Sequence, residues 1–530
     1  MKLRLVPSLV LLVAIIPAVA YFWEFRDIPH FGNLQDDAVY LVSGKSVATG
    51  QGYRLLHLPG KPVQIKYPPV YPMLIAAVWR WAPDFPANLG TIAVFNLAGL
   101  AGILFACYPL YRRIGLSSAA ALGLAAFLAW MPSYLYLTTS VMTEMLFTAL
   151  FLWTFVVLEH SDDTDNWRWA ALAGLLAATA YLTRTAASPL LLTAPLCFLI
   201  RARFRHALAF TVTAAPFVGG WQLWCYLHPF QPYDWVTRFY LGYGQMERMT
   251  VGFDNVGLVA YENIDAILTS IGEMFVFGLA STSFGHQCAR LIAIAALAGT
   301  VRLMRRSSAI QYPAFACVFV TLMIFWHYPP DQRLFVPLAP LFIAGLCTEL
   351  SHLWTLTKST RNSAKLPDRA IAMVFAAMIC TFAGLIAFKT VRTRLVDLPE
   401  MERQARADTM LQRRAFQEVA RRTPASATIL TDQDTLVNLY TGRTTYRTIV
   451  PPRLFYPMRF DRVREEFAAV PDAAHTPWDF VFVSRCDWRH TLDSSDRDSL
   501  RKSIDSRPDL EAVWRSDLDT LYARRHRAKR

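Results

Sequence analysis

Long uncharged apolar runs, separated by short polar connections, recur along the chain until about residue 390 and then stop. A helix needs about 20 apolar residues to cross the hydrocarbon of a bilayer, and these runs come close to that length. The pattern predicts helices at 5–23, 89–110, 115–131, 135–158, 168–183, 185–200, 207–227, 284–301, 311–327, 334–349 and 370–388. That makes about eleven spans, an odd number. Arg290 interrupts the stretch 274–301, which is read as one helix because one keeps Arg302, Arg305 and Arg306 with the other basic loop clusters.

Two regions depart from this pattern. The segment 24–88 is too long for a simple connection, and its apolar stretch 70–81, flanked by Pro68-Pro69 and Pro83, predicts a helix lying along the membrane surface. Earlier in the same segment stands Asp36-Asp37, with Tyr40 one helical turn on, so that Asp36 and Tyr40 would share a helix face. Beyond residue 390 the pattern becomes that of a soluble α/β or α+β module. A polar helix is expected at 402–422 and short strands at 428–431, 480–484, 510–513 and 521–523. The expected organisation is therefore a transmembrane domain over 1–389, with 24–88 as its first outer loop, and a C-terminal domain over 390–530.

Composition agrees with a polytopic membrane protein, at 54% hydrophobic and 18% charged residues. The net charge of +13 does not indicate nucleic acid, because much of the Lys and Arg stands in short loops between apolar runs. Such clusters mark the cytoplasmic side, here Lys2/Arg4, Arg112-Arg113, Arg201/Arg203/Arg205, Arg302/Arg305/Arg306 and Lys358/Arg361/Lys365/Arg369. With an odd span count, the first outer loop and the C-terminal domain then lie outside the cytoplasm. Arginines in that domain either face anionic headgroups or form a solvated surface; a long domain escapes the charge rule. No CxxC occurs among the eight cysteines, so neither a disulfide framework nor a zinc site is expected. Lys2, Arg4, an apolar core and Ala18-Val19-Ala20 imitate a secretory signal, which is read here as an uncleaved first helix.

This threading collects the unusual polar residues at one membrane boundary. Asp36, Asp37, Tyr40 and Lys66 fall in the first outer loop, and Glu144 falls one or two turns inside the outer end of the fourth span. Arg184 occupies an outer turn, and His327, Asp331 and Arg333 another outer loop. Ionisable residues at a membrane edge point to a site. Bland alternatives stand beside that reading: Asp36-Asp37 as a helix-starting pair, Glu144 paired with an arginine inside the bundle, Arg184 or Arg333 marking a helix end, and His327 as a boundary residue.

Asp36-Asp37-Ala38-Val39-Tyr40, followed by Lys66-Tyr67-Pro68-Pro69-Val70-Tyr71-Pro72, resembles the first outer loop of GT-C membrane glycosyltransferases. The similarity is to the bacterial branch related to protein O-mannosyltransferases and lipid A aminoarabinose transferases. Thr143-Glu144-Met145-Leu146-Phe147 is similar to that group's second acidic site, Leu182-Thr183-Arg184-Thr185 to its arginine turn, and the stretch from Arg333 to Pro340 to its late Arg-aromatic-Pro-Pro segment. The chain departs from the pattern in having Asp-Asp for Asp-Glu, and Ile65 where some relatives carry Glu.

The resemblance implies a GT-C fold and transfer of a sugar from a polyprenyl-phosphate carrier to a cell-envelope glycolipid, glycan or protein, with inversion at the anomeric carbon. Under it Asp36 is the general base, Asp37 a supporting carboxylate and Glu144 a second acid. Tyr40, Lys66, Tyr67, Arg184 and Arg333 bind substrate, the cations holding the lipid phosphate. A divalent metal ion is left open. The rival classes are a secondary transporter, which would show internal repeats and charges near the bilayer midplane, and a non-catalytic polysaccharide-export subunit.

Overall fold

Apolar length, prolines and side-chain hydrogen bonds decide where each helix runs and where it breaks. The computed structural model describes residues 5–229, 240, 242, 251–306, 310–361, 366–448, 477–488 and 494–525. Lys2, Arg4 and Lys365 of the basic clusters, and Asp234, Arg238, Glu247 and Arg248 from the connection between the helices expected at 207–227 and 284–301, lie outside the described residues. The chain divides into two compact units: Met1–Arg26, Ala93–Trp221 and Ala260–Met401 in the first, Asp27–Ile92, Gln222–Val259 and Glu402–Arg530 in the second.

Six helical stretches among the described residues are long and apolar enough to cross a membrane: Leu5–Glu24, Leu89–Arg113, Glu144–Thr164, Ser283–Arg305, Gln332–Thr357 and Ala376–Arg422. The pair Ser118–Leu128 and Pro132–Thr138, bent by 55°, makes seven if it forms one broken span. This is fewer than the eleven expected. Several apolar runs form helices shorter than a span, Thr185–Ile200 and Gln311–Ile324 among them.

The expected helix at 135–158 is two helices. Thr138, Thr139 and Ser140 each donate a hydroxyl back to a carbonyl three or four residues earlier, and Asn96 Nδ2 donates to Ser140 O at 2.5 Å. Such local bonds compete with the helix ladder. The chain restarts at Glu144, which therefore heads its helix instead of sitting inside it. A further helix, Val256–Phe275, fills a stretch read as loop. Its buried positions Val259, Asn263, Ile267 and Ile271 recur every four residues, and Asn263 Nδ2 donates to the Ile324 and Trp326 carbonyls at 3.1 and 2.8 Å.

Helices in the first unit approach closely through small residues. A Cβ on Gly299 would stand 1.8 Å from Gly345 O, so the crossing of Ser283–Arg306 with Ala339–Arg361 depends on glycine. At the C-terminal end of Glu144–Thr164, Glu159 meets Arg113 at 3.3 Å, and Asp162 meets Arg201 at 2.5 Å and Arg203 at 3.0 Å. Residues from two of the basic clusters thus gather at one end of this helix. Glu144 lies at the other, roughly 27 Å away at 1.5 Å per residue, nearly a hydrocarbon thickness.

The second unit holds a five-stranded sheet in the order β2-β1-β3-β5-β4, from β1 (Thr428–Thr431), β2 (Thr444–Arg447), β3 (Phe480–Val483), β4 (Leu510–Arg515) and β5 (Thr520–Arg524). β1 runs parallel to β2 and to β3, while β5 is antiparallel to β3 and β4. In the same unit, helices Asp36–Ala48 and Val70–Trp81 lie against each other. The second matches the stretch expected along the surface, burying Tyr71, Ile75, Val78 and Trp79. Thr445 N–H donates to His57 O at 2.7 Å, Arg406 Nε to Asp27 Oδ2 at 2.7 Å, and His30 Nδ1 stands 2.8 Å from Glu402 Oε2. The segment expected as an outer loop and the sheet are thereby tied together.

Candidate functional site

Asp36 follows a strained turn. Gln35 has φ 60° and ψ −52°, and Asp36 N–H donates to Leu34 O at 2.6 Å, which together form a γ-turn of positive φ. A non-glycine residue in such a conformation costs on the order of 1–3 kcal/mol and persists only where its surroundings over-determine it. Here Asp37 fixes the turn: its Oδ2 accepts Gly32 N–H at 2.7 Å and its Oδ1 accepts Ala38 N–H at 2.8 Å. Asp37 is 1% exposed, and burial pushes its carboxyl up to about 6, against the pull of those two N–H donors.

Asp36 is half-buried. Tyr67 donates its hydroxyl to Asp36 Oδ1 at 2.5 Å. Tyr40, one turn along the Asp36 helix, packs edge-on against Tyr67 and Tyr71 with ring centroids at 4.9 and 5.5 Å, and so fixes the donor's direction. Lys66 is 6% exposed; burial lowers its ammonium to about 8, and the charge of Asp36 opposes that fall. The Lys66-Tyr67 turn is held by Gln64, which sequence reading missed. Its buried amide oxygen accepts Lys66 N–H at 3.0 Å and Tyr67 N–H at 3.3 Å, and its Nε2 donates to Ser43 Oγ at 3.2 Å. An unremarkable glutamine in a loop carries no sequence signal for this.

The first unit holds the other predicted residues. Glu144 is 1% exposed; its Oε1 lies 2.7 Å from Arg184 Nη1 and 3.7 Å from Arg333 Nε. Arg184 also donates to Thr143 Oγ1 at 3.2 Å, and Arg333 Nε stands 3.6 Å from Asp331. Segments far apart in sequence thus place two half-buried guanidinium groups on one buried carboxylate. His327 is buried beside the rings of Trp326 and Tyr328. The predicted residues accordingly form two sets: Asp36, Asp37, Tyr40, Lys66 and Tyr67 in one unit, Glu144, Arg184 and Arg333 in the other.

The donor sets do not suit a divalent cation. Asp37 spends both oxygens on backbone N–H groups, Asp36 has a lysine and a tyrosine as neighbours, and Glu144 faces two arginines. Among the described residues no three His, Cys, Asp or Glu side chains group as metal ligands. The chemistry available is proton acceptance at Asp36 and anion binding by the cations.

No family model and no curated protein matches the chain. Among solved structures, ArnT from Cupriavidus metallidurans bound to undecaprenyl phosphate aligns over 97% of each chain at 13% identity, with a TM-score of 0.53. The apo state of that protein aligns over 92% of this chain and 93% of its own at 12% identity, with a TM-score of 0.45. At such identity the likeness speaks for fold alone: the chain has the fold of ArnT, the GT-C fold that its loop motifs resemble.

Proposed function

We propose that this protein is an inverting glycosyltransferase that moves a sugar from a polyprenyl-phosphate carrier to a cell-envelope acceptor at the outer face of the cytoplasmic membrane. The observation that carries the reading is Asp36, a half-buried carboxylate set by a strained turn, aimed by Tyr67 and lying beside a buried lysine, in a chain of this fold. In the proposed step the acceptor hydroxyl attacks the anomeric carbon while the bond from that carbon to the phosphate oxygen breaks. Asp36 takes the hydroxyl proton, and the lipid phosphate leaves with the bonding electrons. Attack opposite the leaving group inverts the centre.

Lys66 is assigned to the phosphate as a point charge, and Arg184 and Arg333 are proposed phosphate-holding cations of the membrane unit. Glu144 is proposed as the positioning residue for these arginines, since its Oε1 lies beside both. Asp37 supports the turn that carries the base. A carrier of the proposed chemistry, undecaprenyl phosphate, is bound to the ArnT of this fold. For orientation, the positive-inside rule assigns the Arg113, Arg201 and Arg203 end of helix Glu144–Thr164 to the cytoplasm and Glu144 to the outer side.

The test is a transfer assay with purified protein, a labelled polyprenyl-phosphate sugar and an envelope extract as acceptor. Label should pass from the lipid-linked donor into an envelope species. Transfer from a nucleotide sugar, with the lipid-linked donor ignored, contradicts the reading.

A further inference from the structure

Helix Leu398–Arg422 is polar over most of its length, yet one of its carboxylates is sunk in the protein. Glu402 is 1% exposed, and its Oε2 stands 2.8 Å from Nδ1 of His30, itself 3% exposed. A buried carboxylate is costly unless a partner meets it, so the pair fixes where this helix meets the segment before Asp36. Two further contacts repeat at helical spacing. Arg406 holds Asp27 through two N–H donors, Nε to Oδ2 at 2.7 Å and Nη2 to Oδ1 at 2.8 Å, and the Thr409 hydroxyl donates to Pro29 O at 2.5 Å. Glu402, Arg406 and Thr409 share one helix face, and together they grip Asp27, Pro29 and His30.

The gripped segment is strained. Ile28, inside the grip, is fully buried with φ 50°, a left-handed conformation that a β-branched residue adopts only under constraint. From there hydrogen bonds carry the constraint toward the carboxylates. Phe31 N–H donates to Ile28 O and Asn33 N–H to His30 O, both at 3.1 Å, and Gly32 N–H donates to Asp37 Oδ2, whose carboxylate fixes the turn at Gln35. Ile28, Gly32 and Gln35 all have positive φ within one short segment, so its shape depends on outside contacts. The His30 ring is also close enough to Asp37 for its charge to pull that carboxyl down, against the larger effect of burial.

We infer that Glu402 and Arg406 are positioning residues for the reaction: through His30 and Asp27, one face of helix Leu398–Arg422 sets the place of Asp36 relative to its substrate. The effect on rate rests on the glycosyl-transfer reading above; the clamp on the segment does not. A misplacement of about 1 Å at a reacting group can lower a rate by about 100-fold. Loosening the clamp should therefore lower kcat, while the lipid phosphate, assigned to the cations, still binds.

Detergent-purified full-length protein is compared with Glu402→Gln, His30→Gln and the double variant. The readouts are turnover of a synthetic polyprenyl-phosphate sugar and hydrogen–deuterium exchange of the peptide that spans Gly32 and Ala38. Each single change should lower kcat by about tenfold with donor KM within about twofold of wild type, and the double variant should lose no more than either, as residues acting as a unit do. The peptide should exchange at least about threefold faster in all three variants. Arg414→Ala, exposed on another face of the same helix, should leave kcat and exchange unchanged. Unchanged exchange or unchanged kcat in Glu402→Gln, additive losses in the double variant, or a rise in donor KM in place of a fall in kcat overturns the inference. If Glu402→Gln does not fold, the more exposed pair decides. Asp27→Arg and Arg406→Asp should each slow turnover by about threefold and restore it when combined, and a combined variant no faster than the singles overturns the inference as well. Exchange needs no turnover, so a loosened segment in a protein that transfers nothing would fault the proposed function and leave the clamp standing.

Discussion

At Asp37, burial and hydrogen bonding oppose each other, and burial wins: the carboxyl rises from 3.8 to about 6. The folded state therefore holds this proton more tightly than the unfolded chain. Stability from this group is present at low pH and is lost as pH climbs from about 4 to about 6, by roughly 3 kcal/mol at most. Thermal melts in detergent should show Tm falling across that window, with a shallower fall in Asp37→Asn; an unchanged slope would remove Asp37 as its source. Lys66 works in the opposite direction. Burial lowers its ammonium from 10.5 to about 8, so it is still mostly cationic at neutral pH, and donor-phosphate affinity should weaken as pH rises through about 8. Lys66→Arg, whose guanidinium does not titrate there, should hold affinity to higher pH in a lipid-phosphate binding titration. A binding profile flat across pH 8 in the wild type would separate Lys66 from the phosphate.

At the scale of elements, the sequence was readable where one local signal sufficed. Helix Val70–Trp81 emerged at its observed bounds because prolines flank a short apolar stretch, and β1 because β-branched residues stand between polar turns. β2 and the helix Val256–Phe275 escaped, the first because Thr444–Arg447 is polar until paired with β1, the second because acidic residues hid its four-residue stripe. The break before Glu144 was hidden too, since hydroxyl-to-carbonyl bonds at Thr138, Thr139 and Ser140 leave no mark on hydropathy. The residues of the candidate site could be named singly, yet their grouping could not. Glu144, Arg184 and Arg333 meet through tertiary packing, and Gln64 acts through three hydrogen bonds that no motif encodes. That grouping predicts a stability effect. Glu144→Gln removes the charge between two half-buried arginines, and breaking a buried pair typically costs about 3–5 kcal/mol. Detergent-solubilised yield and Tm should both fall; wild-type values would show that the arginines need no carboxylate there.

For the whole molecule, the proposed reaction needs the Asp36 loop and the C-terminal residues to lie outside the cytoplasm. Lys502 is exposed on helix Ser494–Asp505, and Lys502→Cys should react with a membrane-impermeant maleimide in intact spheroplasts. Labelling only after lysis would reverse the orientation. In the proposed reaction Asp36 accepts the proton of the acceptor hydroxyl as the sugar leaves its lipid phosphate. Asp36→Asn keeps the size of the side chain and an oxygen for the Tyr67 hydroxyl, but it cannot take the proton. Its turnover with a synthetic polyprenyl-phosphate sugar should drop by about 100- to 10,000-fold, with solubilised yield and lipid-donor affinity close to wild type. Wild-type turnover in a well-folded Asp36→Asn protein would contradict the account.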